Sequence, residues 1–285
     1  MRSAELAGFI AVHPAAVVAE LTRVRGSSPR AAGTFMLIAP NALIGTIGGG
    51  ALEYMVIDRA RRALRDDETP EGLDIPLGPE IGQCCGGRVE VSLKLANGDL
   101  IAGLVARLAA AESKLPDIYL FGSGHVGKAL ARALVALPVN VHVIDTRPDE
   151  LADLPPGVEA RAVPMPEAVV RAAPDGSAFV ILTHDHALDF LIAAEALKRS
   201  DASYVGMVGS ATKRARFSSW YLAEGGERDA LRRLVLPIGA FGLVDKRPEV
   251  IAALAAAEIL VHIGRREASM LRVHDSRTTL GAAVD

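Results

Sequence analysis

The chain has 285 residues, long enough for two domains whose cores need no disulfide or metal staple. Half of it is hydrophobic and 23% is charged, which excludes a disordered chain, a collagen and a disulfide scaffold. A net charge of −3 and 4% aromatic residues give neither an electrostatic nor a stacking basis for a nucleic-acid partner.

The apolar run from Leu6 to Ile10 is short, follows Glu5 and stops at His13-Pro14, so it does not make a secretory signal. Residues 17–24 predict a strand ending at Gly26. Residues 34–38 and 42–47 flank Pro40-Asn41 as a hairpin. Beyond Gly48-Gly49-Gly50, Leu52, Val56, Ile57, Ala60 and Leu64 recur at helical spacing. Arg59, Arg61, Arg62 and Arg65 fall late in that helix, where cations suit its dipole. Residues 88–95 alternate strictly and predict a half-buried strand. A helix over 99–111 leads to Lys114-Leu115-Pro116, the expected domain boundary.

From Ile118 onward strands and helices alternate. Strands are expected over 118–121, 139–145, 178–183, 203–208 and 233–236. Helices are expected over 125–137, 187–198, 211–223 and 248–263. Apolar strands separated by helices mean a parallel sheet covered on both faces. The apolar stretch from Ile251 to Ile263 is broken by Glu258 and His262, so it reads as a buried helix and not a membrane span. The expected fold is α/β. An N-terminal α+β domain (1–113) is followed by a Rossmann-like doubly wound parallel-sheet domain (114–265) and a polar, loosely held tail (266–285).

Four constellations can carry chemistry. The first is Gly122-Ser123-Gly124-His125-Val126-Gly127, between a predicted strand and a predicted helix. Gly122 permits the tight turn, Gly124 lets a phosphate approach the backbone, and Gly127 lets helix and strand pack closely. Asp145 closes the next strand, where an acid binds a ribose hydroxyl; Arg147 leaves the choice between ribose and phosphate open. Such a fold also persists where dinucleotide binding has been lost.

The second is Gly82-Gln83-Cys84-Cys85-Gly86-Gly87, which holds both cysteines of the chain. A vicinal pair is a poor staple, so the thiols are expected reduced, which fits a cytoplasmic protein. No histidine sits at the spacing that would complete a zinc site. The pair is either buried and inert or an exposed thiol that acts as soft ligand or nucleophile. The flanking glycines favour exposure. The third pairs Arg25-Gly26-Ser27-Ser28-Pro29-Arg30 with the stretch from Gly45 to Glu53. The N–H groups of Gly48, Gly49 and Gly50, together with Arg30 and Arg25, would make an anion site; the plain alternative is two turns with surface arginines. The fourth is Thr183-His184-Asp185-His186-Ala187-Leu188-Asp189, fit for metal binding or proton transfer, unless Asp185 or Asp189 supports the next helix. After it, Ser210 is a natural N-cap, and Lys213 or Arg214 is placed to meet an anion.

Taken together these segments resemble the XdhC/CoxI family, accessory proteins of xanthine dehydrogenase and related molybdenum hydroxylases. The likeness runs from Val24 to Leu260, with all the motifs in the family's order, and the Gln-Cys-Cys-Gly-Gly form is most similar to the xanthine dehydrogenase branch. One departure is Leu236-Pro237-Ile238-Gly239, where many relatives carry Cys-Pro-Ile-Gly. The resemblance implies a molybdenum-cofactor (molybdopterin) chaperone in place of a turnover enzyme. Such a protein protects the cofactor, supports its sulfuration with a cysteine desulfurase as sulfur donor, and inserts it into apo-xanthine dehydrogenase. It also implies a homodimer. On this reading Cys85 contacts the metal, with Cys84 behind it, because the wider family keeps the cysteine directly before Gly-Gly. Arg30, Gly48, Gly49 and Gly50 would hold an anionic group. Gly122, Gly124 and Gly127 would lie near a phosphate, Asp145 would read a ribose only in a dinucleotide form, and His184 would be a further cofactor contact. Two alternatives stay open: an NAD(P)-dependent oxidoreductase using the glycine loop, and a scaffold bridging dehydrogenase and sulfur donor.

Overall fold

The structure is a computed structural model that describes residues 1–79, 86–243 and 245–281. It divides into two compact units, Met1–Lys114 and Leu115–Asp285. Among the described residues no helix is long and apolar enough to cross a membrane.

The first unit is an antiparallel five-stranded sheet with helices on both faces. Strands β1 (Val17–Arg25), β2 (Phe35–Ile38), β3 (Leu43–Gly45), β4 (Leu73–Pro76) and β5 (Arg88–Leu95) lie in the order β3-β2-β1-β5-β4. Alternation sorts the side chains by face. Val17, Ala19, Leu21, Met36 and Ile38 pack with Leu52, Val56 and Ala60 of α2 (Gly50–Asp66). On the other face Val18, Phe35 and Leu37 pack with Leu6 of α1 (Ser3–Val12) and Leu104 of α3 (Gly98–Glu112). The expected hairpin, α2, β5 and α3 are present. Helix α1 and edge strand β4 were not expected. The β1–β5 register shifts between Leu21 and Arg23, a bulge at Thr22, after which the ladder continues to Arg25 opposite Arg88.

The second unit is a fully parallel six-stranded sheet. Its strands are β6 (Asp117–Phe121), β7 (Asn140–Asp145), β8 (Val158–Ala162), β9 (Ala178–Ile181), β10 (Tyr204–Met207) and β11 (Leu234–Val235). Their order β11-β10-β9-β6-β7-β8 is the Rossmann order, with the switch point between β6 and β9. Helices α4 (His125–Val135) and α9 (Pro248–Gly281) cover the face carrying Ile118, Leu120, Val141 and Val180. Helices α5 (Pro166–Ala172), α6 (His186–Lys198) and α7 (Ala211–Ala223) cover the face carrying Phe121, Ile144, Phe179 and Ile181, and the short α8 (Arg228–Leu231) precedes β11. The α/β class and the doubly wound second half are as expected. Strand β8 and helix α5 are additions. Helix α9 runs on to Gly281, past the expected end at Ile263. Between Arg265 and Leu280 no glycine or proline stands to stop it, so the polar segment continues the helix.

Candidate functional site

In the first unit the fold brings three motifs to one place. Beyond the last β1–β5 pair, Ser27 forms a parallel bridge to Gly86. The contact is close enough that a Cβ on Gly87 would lie 2.0 Å from the Ser27 carbonyl oxygen. Glycine at 87 is therefore dictated by chain approach. The stretch carrying Cys84 and Cys85 is tied at its ends: the Gly86 N–H donates to the Leu77 oxygen (2.9 Å), and the Leu77 N–H donates to the Gly87 oxygen (2.7 Å). Cys84 and Cys85 themselves lie outside the described residues, and Cys85 directly precedes Gly86 in the chain. The third segment joins through Pro29, whose Cγ lies 2.8 Å from where a Gly48 Cβ would stand. Segments far apart in sequence, around Ser27, Gly48 and Gly86, are thus neighbours.

The glycine run is partly occupied by the chain itself. Gly48, Gly49 and Gly50 all have positive φ, a conformation only glycine adopts at low cost. The N–H groups of Ile47 (2.9 Å) and Gly48 (3.2 Å) donate to Glu53 Oε1, and the Thr46 hydroxyl donates to the same oxygen. Burial pushes the Glu53 carboxyl up, but the hydrogen bonds from Thr46, Gly49, Ile47 and Gly48 outweigh it and hold the group below its ordinary range. Glu53 is thus an internal anion at the site that the sequence reserves for an external one. Gly49 and Gly86 have open space where a Cβ would be. Arg30 is exposed, and among the described residues its guanidinium has no partner. Arg25 is drawn towards Glu90 at 3.4 Å.

In the second unit the three glycines of the loop differ in what surrounds them. Gly122 has φ +112, and a Cβ there would meet the Leu182 oxygen at 2.5 Å. A Cβ on Gly127 would lie 2.1 Å from the Gly122 oxygen, whereas one on Gly124 would meet nothing within 4 Å. The first and third glycines serve packing, and the second leaves the N-terminus of α4 open to approach. Asp145 is 4% exposed and already bonded. Its Oδ2 accepts the Ser123 N–H (2.8 Å) and hydroxyl (3.1 Å), and its Oδ1 accepts the Arg147 N–H (3.0 Å) and Nε (3.1 Å). Burial opposes ionisation, and the bonds from Arg147 and Ser123 overcome it, holding the carboxyl below its usual range. A ribose hydroxyl would have to displace Arg147 from this carboxylate. Gly122, Asp145, Thr183 and His184 line one shallow cleft at the switch point.

The acids of the fourth motif have structural partners. Asp185 caps α6, accepting from the N–H groups of Ala187 (2.8 Å) and Leu188 (3.4 Å). Asp189 is fully buried and accepts the Thr183 N–H (3.1 Å) and hydroxyl (2.7 Å) and the Lys213 ammonium. The anion that Lys213 meets is therefore Asp189. His184 and His186 are exposed. Among the described residues no three His, Cys, Asp or Glu side chains are grouped to hold a metal ion. Sequence reasoning assigned no role to Glu53 and did not pair Asp189 with Lys213. A glutamate one turn into a helix behind a Thr-Ile-Gly-Gly-Gly entry was the available signal for the first.

Residues 118–259 match the family model described as the XdhC Rossmann domain, and residues 10–73 match the model of the XdhC and CoxI family. Over 255 residues the chain is 26% identical to the uncharacterized protein YqeB of Escherichia coli (strain K12), covering 85% of this chain and 42% of that protein. The chain thus spans less than half the length of that relative. A crystal structure of a xanthine dehydrogenase from Bacillus halodurans superposes with a TM-score of 0.69 at 19% identity, covering 93% of this chain and 97% of the other. At that identity the likeness is one of fold. The two family models fall on separate units, in the same order as the motifs, and by them the chain belongs to the XdhC and CoxI family.

Proposed function

We propose that the chain is an accessory protein that binds molybdenum cofactor and supplies it, sulfurated, to xanthine dehydrogenase. Family membership supports the coarser statement, a role associated with xanthine dehydrogenase. The observation that carries the finer one is the meeting of Ser27, Gly48 and Gly86 beside the residue that follows Cys85. A molybdopterin offers a metal for a soft thiolate and a phosphate for a cation or backbone N–H groups. The residues fit such a group. Arg30 has no side-chain partner among the described residues, the Cα atoms of Gly49 and Gly86 face open space, and the cysteines directly precede Gly86 in the chain. Glu53 holds the N–H groups of Ile47, Gly48 and Gly49, and the Leu77 oxygen holds that of Gly86, so none of these four is a free phosphate donor. Cys85, with Cys84, would supply the thiolate and Arg30 the charge. When bound, the cofactor supplies the redox-active metal that the client enzyme needs. Partners on this reading are apo-dehydrogenase, a cysteine desulfurase and a second copy of the chain, in the cytoplasm.

The test is pterin and molybdenum content after anaerobic purification from a cofactor-sufficient host. Wild type should carry both, and the Cys84→Ala, Cys85→Ala double variant should fold but carry neither. Undiminished pterin in the double variant removes the thiols from the site. A second reading, a nucleotide at the glycine loop, is favoured by the strand order and the open face of Gly124. Nicotinamide-dependent turnover by the wild type would put an oxidoreductase in place of the chaperone.

A further inference from the structure

The second unit has another cleft, of about 420 Å³, between edge strand β8, helix α5 and strand β6. It shares no residue with the cleft at Gly122 and Asp145. Its walls are apolar, from Val163, Met165, Val169 and Ala172, and Arg161 is the one charged residue lining it among the described residues. Met165 is 57% exposed. A mostly apolar concavity of a few hundred Å³ with few polar groups is the usual form of a small-molecule site.

Tyr119 makes the cleft more than a surface dent. It lines the cavity yet is only 5% exposed, and its ring stacks on His142 at 4.5 Å and on Phe179 at 5.8 Å. Among the described residues its hydroxyl has no hydrogen-bond partner. The ring is buried, but the hydroxyl oxygen is not closed off, so it is open to a ligand in the cleft. Burial, and then the charge of Asp117, raises its pKa, so at neutral pH the group is a hydrogen-bond donor. Arg161 pairs with Glu159 at 3.4 Å, and the Glu159 side chain is exposed. Water can therefore replace Arg161 at Glu159 if the guanidinium turns to another anion. The neighbouring charges are already engaged. Asp117 holds His142 Nε2 at 2.8 Å, and Arg199 bonds the carbonyls of Val170 (2.8 Å) and Ala173 (2.6 Å).

We propose that this cleft binds a small amphipathic monocarboxylate, with its apolar body on Val163, Met165 and Val169 and its carboxylate between Arg161 and the Tyr119 hydroxyl. The site shares no residue with the motifs that carry the chaperone reading and does not depend on it.

The experiment titrates phenylacetate and octanoate into the full chain by calorimetry, with phenylacetamide as the uncharged control. Both carboxylates should bind saturably, and the amide should bind at least about tenfold more weakly. Arg161→Gln should weaken carboxylate binding by about tenfold or more. Tyr119→Phe should weaken it several-fold while leaving the thermal midpoint unchanged or raised, because no internal hydrogen bond is lost. A purely structural tyrosine would leave binding unmoved. The proposal is overturned if neither carboxylate saturates by about 10 mM, if the amide binds as well as the acid, or if both variants bind like wild type. None of these readouts involves pterin or a dehydrogenase, so failure here and failure of the chaperone reading are separable.

Discussion

Three glycines in one loop should respond to substitution in different ways. A methyl on Gly127 would sit 2.1 Å from the Gly122 carbonyl oxygen. Carbon–oxygen contacts settle near about 3.3 Å, so α4 must retreat from β6 by about 1 Å. Overpacking of that kind costs about 1–3 kcal/mol. In a unit of this size each kcal/mol lowers the midpoint by about 2–4 °C, so Gly127→Ala should fall by about 2–12 °C. Gly124 has φ −69 and ψ −170, which any residue adopts, and an added Cβ meets nothing within 4 Å. Gly124→Val should cost at most about 1 kcal/mol, the weaker N-cap preference of valine. It should nonetheless block a phosphate that needs the backbone of α4. The assay is urea unfolding of both variants beside ADP titration and pterin content. A Gly124→Val protein that keeps wild-type binding reduces the loop to a packing device. A Gly127→Ala protein as stable as wild type would refute the close-approach argument.

Other consequences are as direct. Lys213→Met leaves the fully buried Asp189 with Thr183 as its one remaining side-chain partner among the described residues, and should cost about 3–5 kcal/mol, most of it recovered by adding Asp189→Asn in a double-mutant cycle. Glu53 is held below its ordinary value of 4.5, so its contribution to stability is complete above that pH and is lost as pH falls through the lowered value. Glu53→Gln should therefore flatten the acid limb of stability below about pH 4.5 and cost about 1–2 kcal/mol at neutral pH, read by denaturant titration across pH. Arg30→Ala should weaken cofactor binding by about 1.5–3 kcal/mol, seen as faster pterin loss on dilution; unchanged retention returns Arg30 to an ordinary surface charge.

What was legible in the sequence had a period or a punctuation mark. Leu52, Val56 and Ala60 repeat at helical spacing because α2 lies on the sheet, and Val89, Val91 and Leu93 alternate because β5 has one buried face. The parallel strands are nearly continuous apolar runs because both faces are covered. Strand β8 could not be read this way. Val158-Glu159-Ala160-Arg161-Ala162 is an edge strand, exposed along most of its length, and only its pairing with β7 makes it a strand. Strand β4 is another edge, carrying Asp74 and ending in Pro76, and its ladder with β5 alone defines it. Helix α1 buries only Leu6 and depends on contact with α3, including the Ser3 N–H and hydroxyl bonds to Glu112 at 2.5 and 2.7 Å.

The same distinction separates the two candidate sites. The close packing of Gly127 on Gly122 is a local consequence of a strand turning into a helix, so spacing alone anticipated it. The partners of Asp145 and Asp189 are not all local in that sense. Asp145 answers to Ser123, which lies on another strand's loop, and Asp189 to Lys213 on another helix. An acidic residue in a motif advertises its charge in the sequence but not whether the fold has already neutralised it. Arg30 is the opposite case, a motif cation for which the described residues provide no counter-charge, and that is why it and not Asp145 carries the weight of the binding argument.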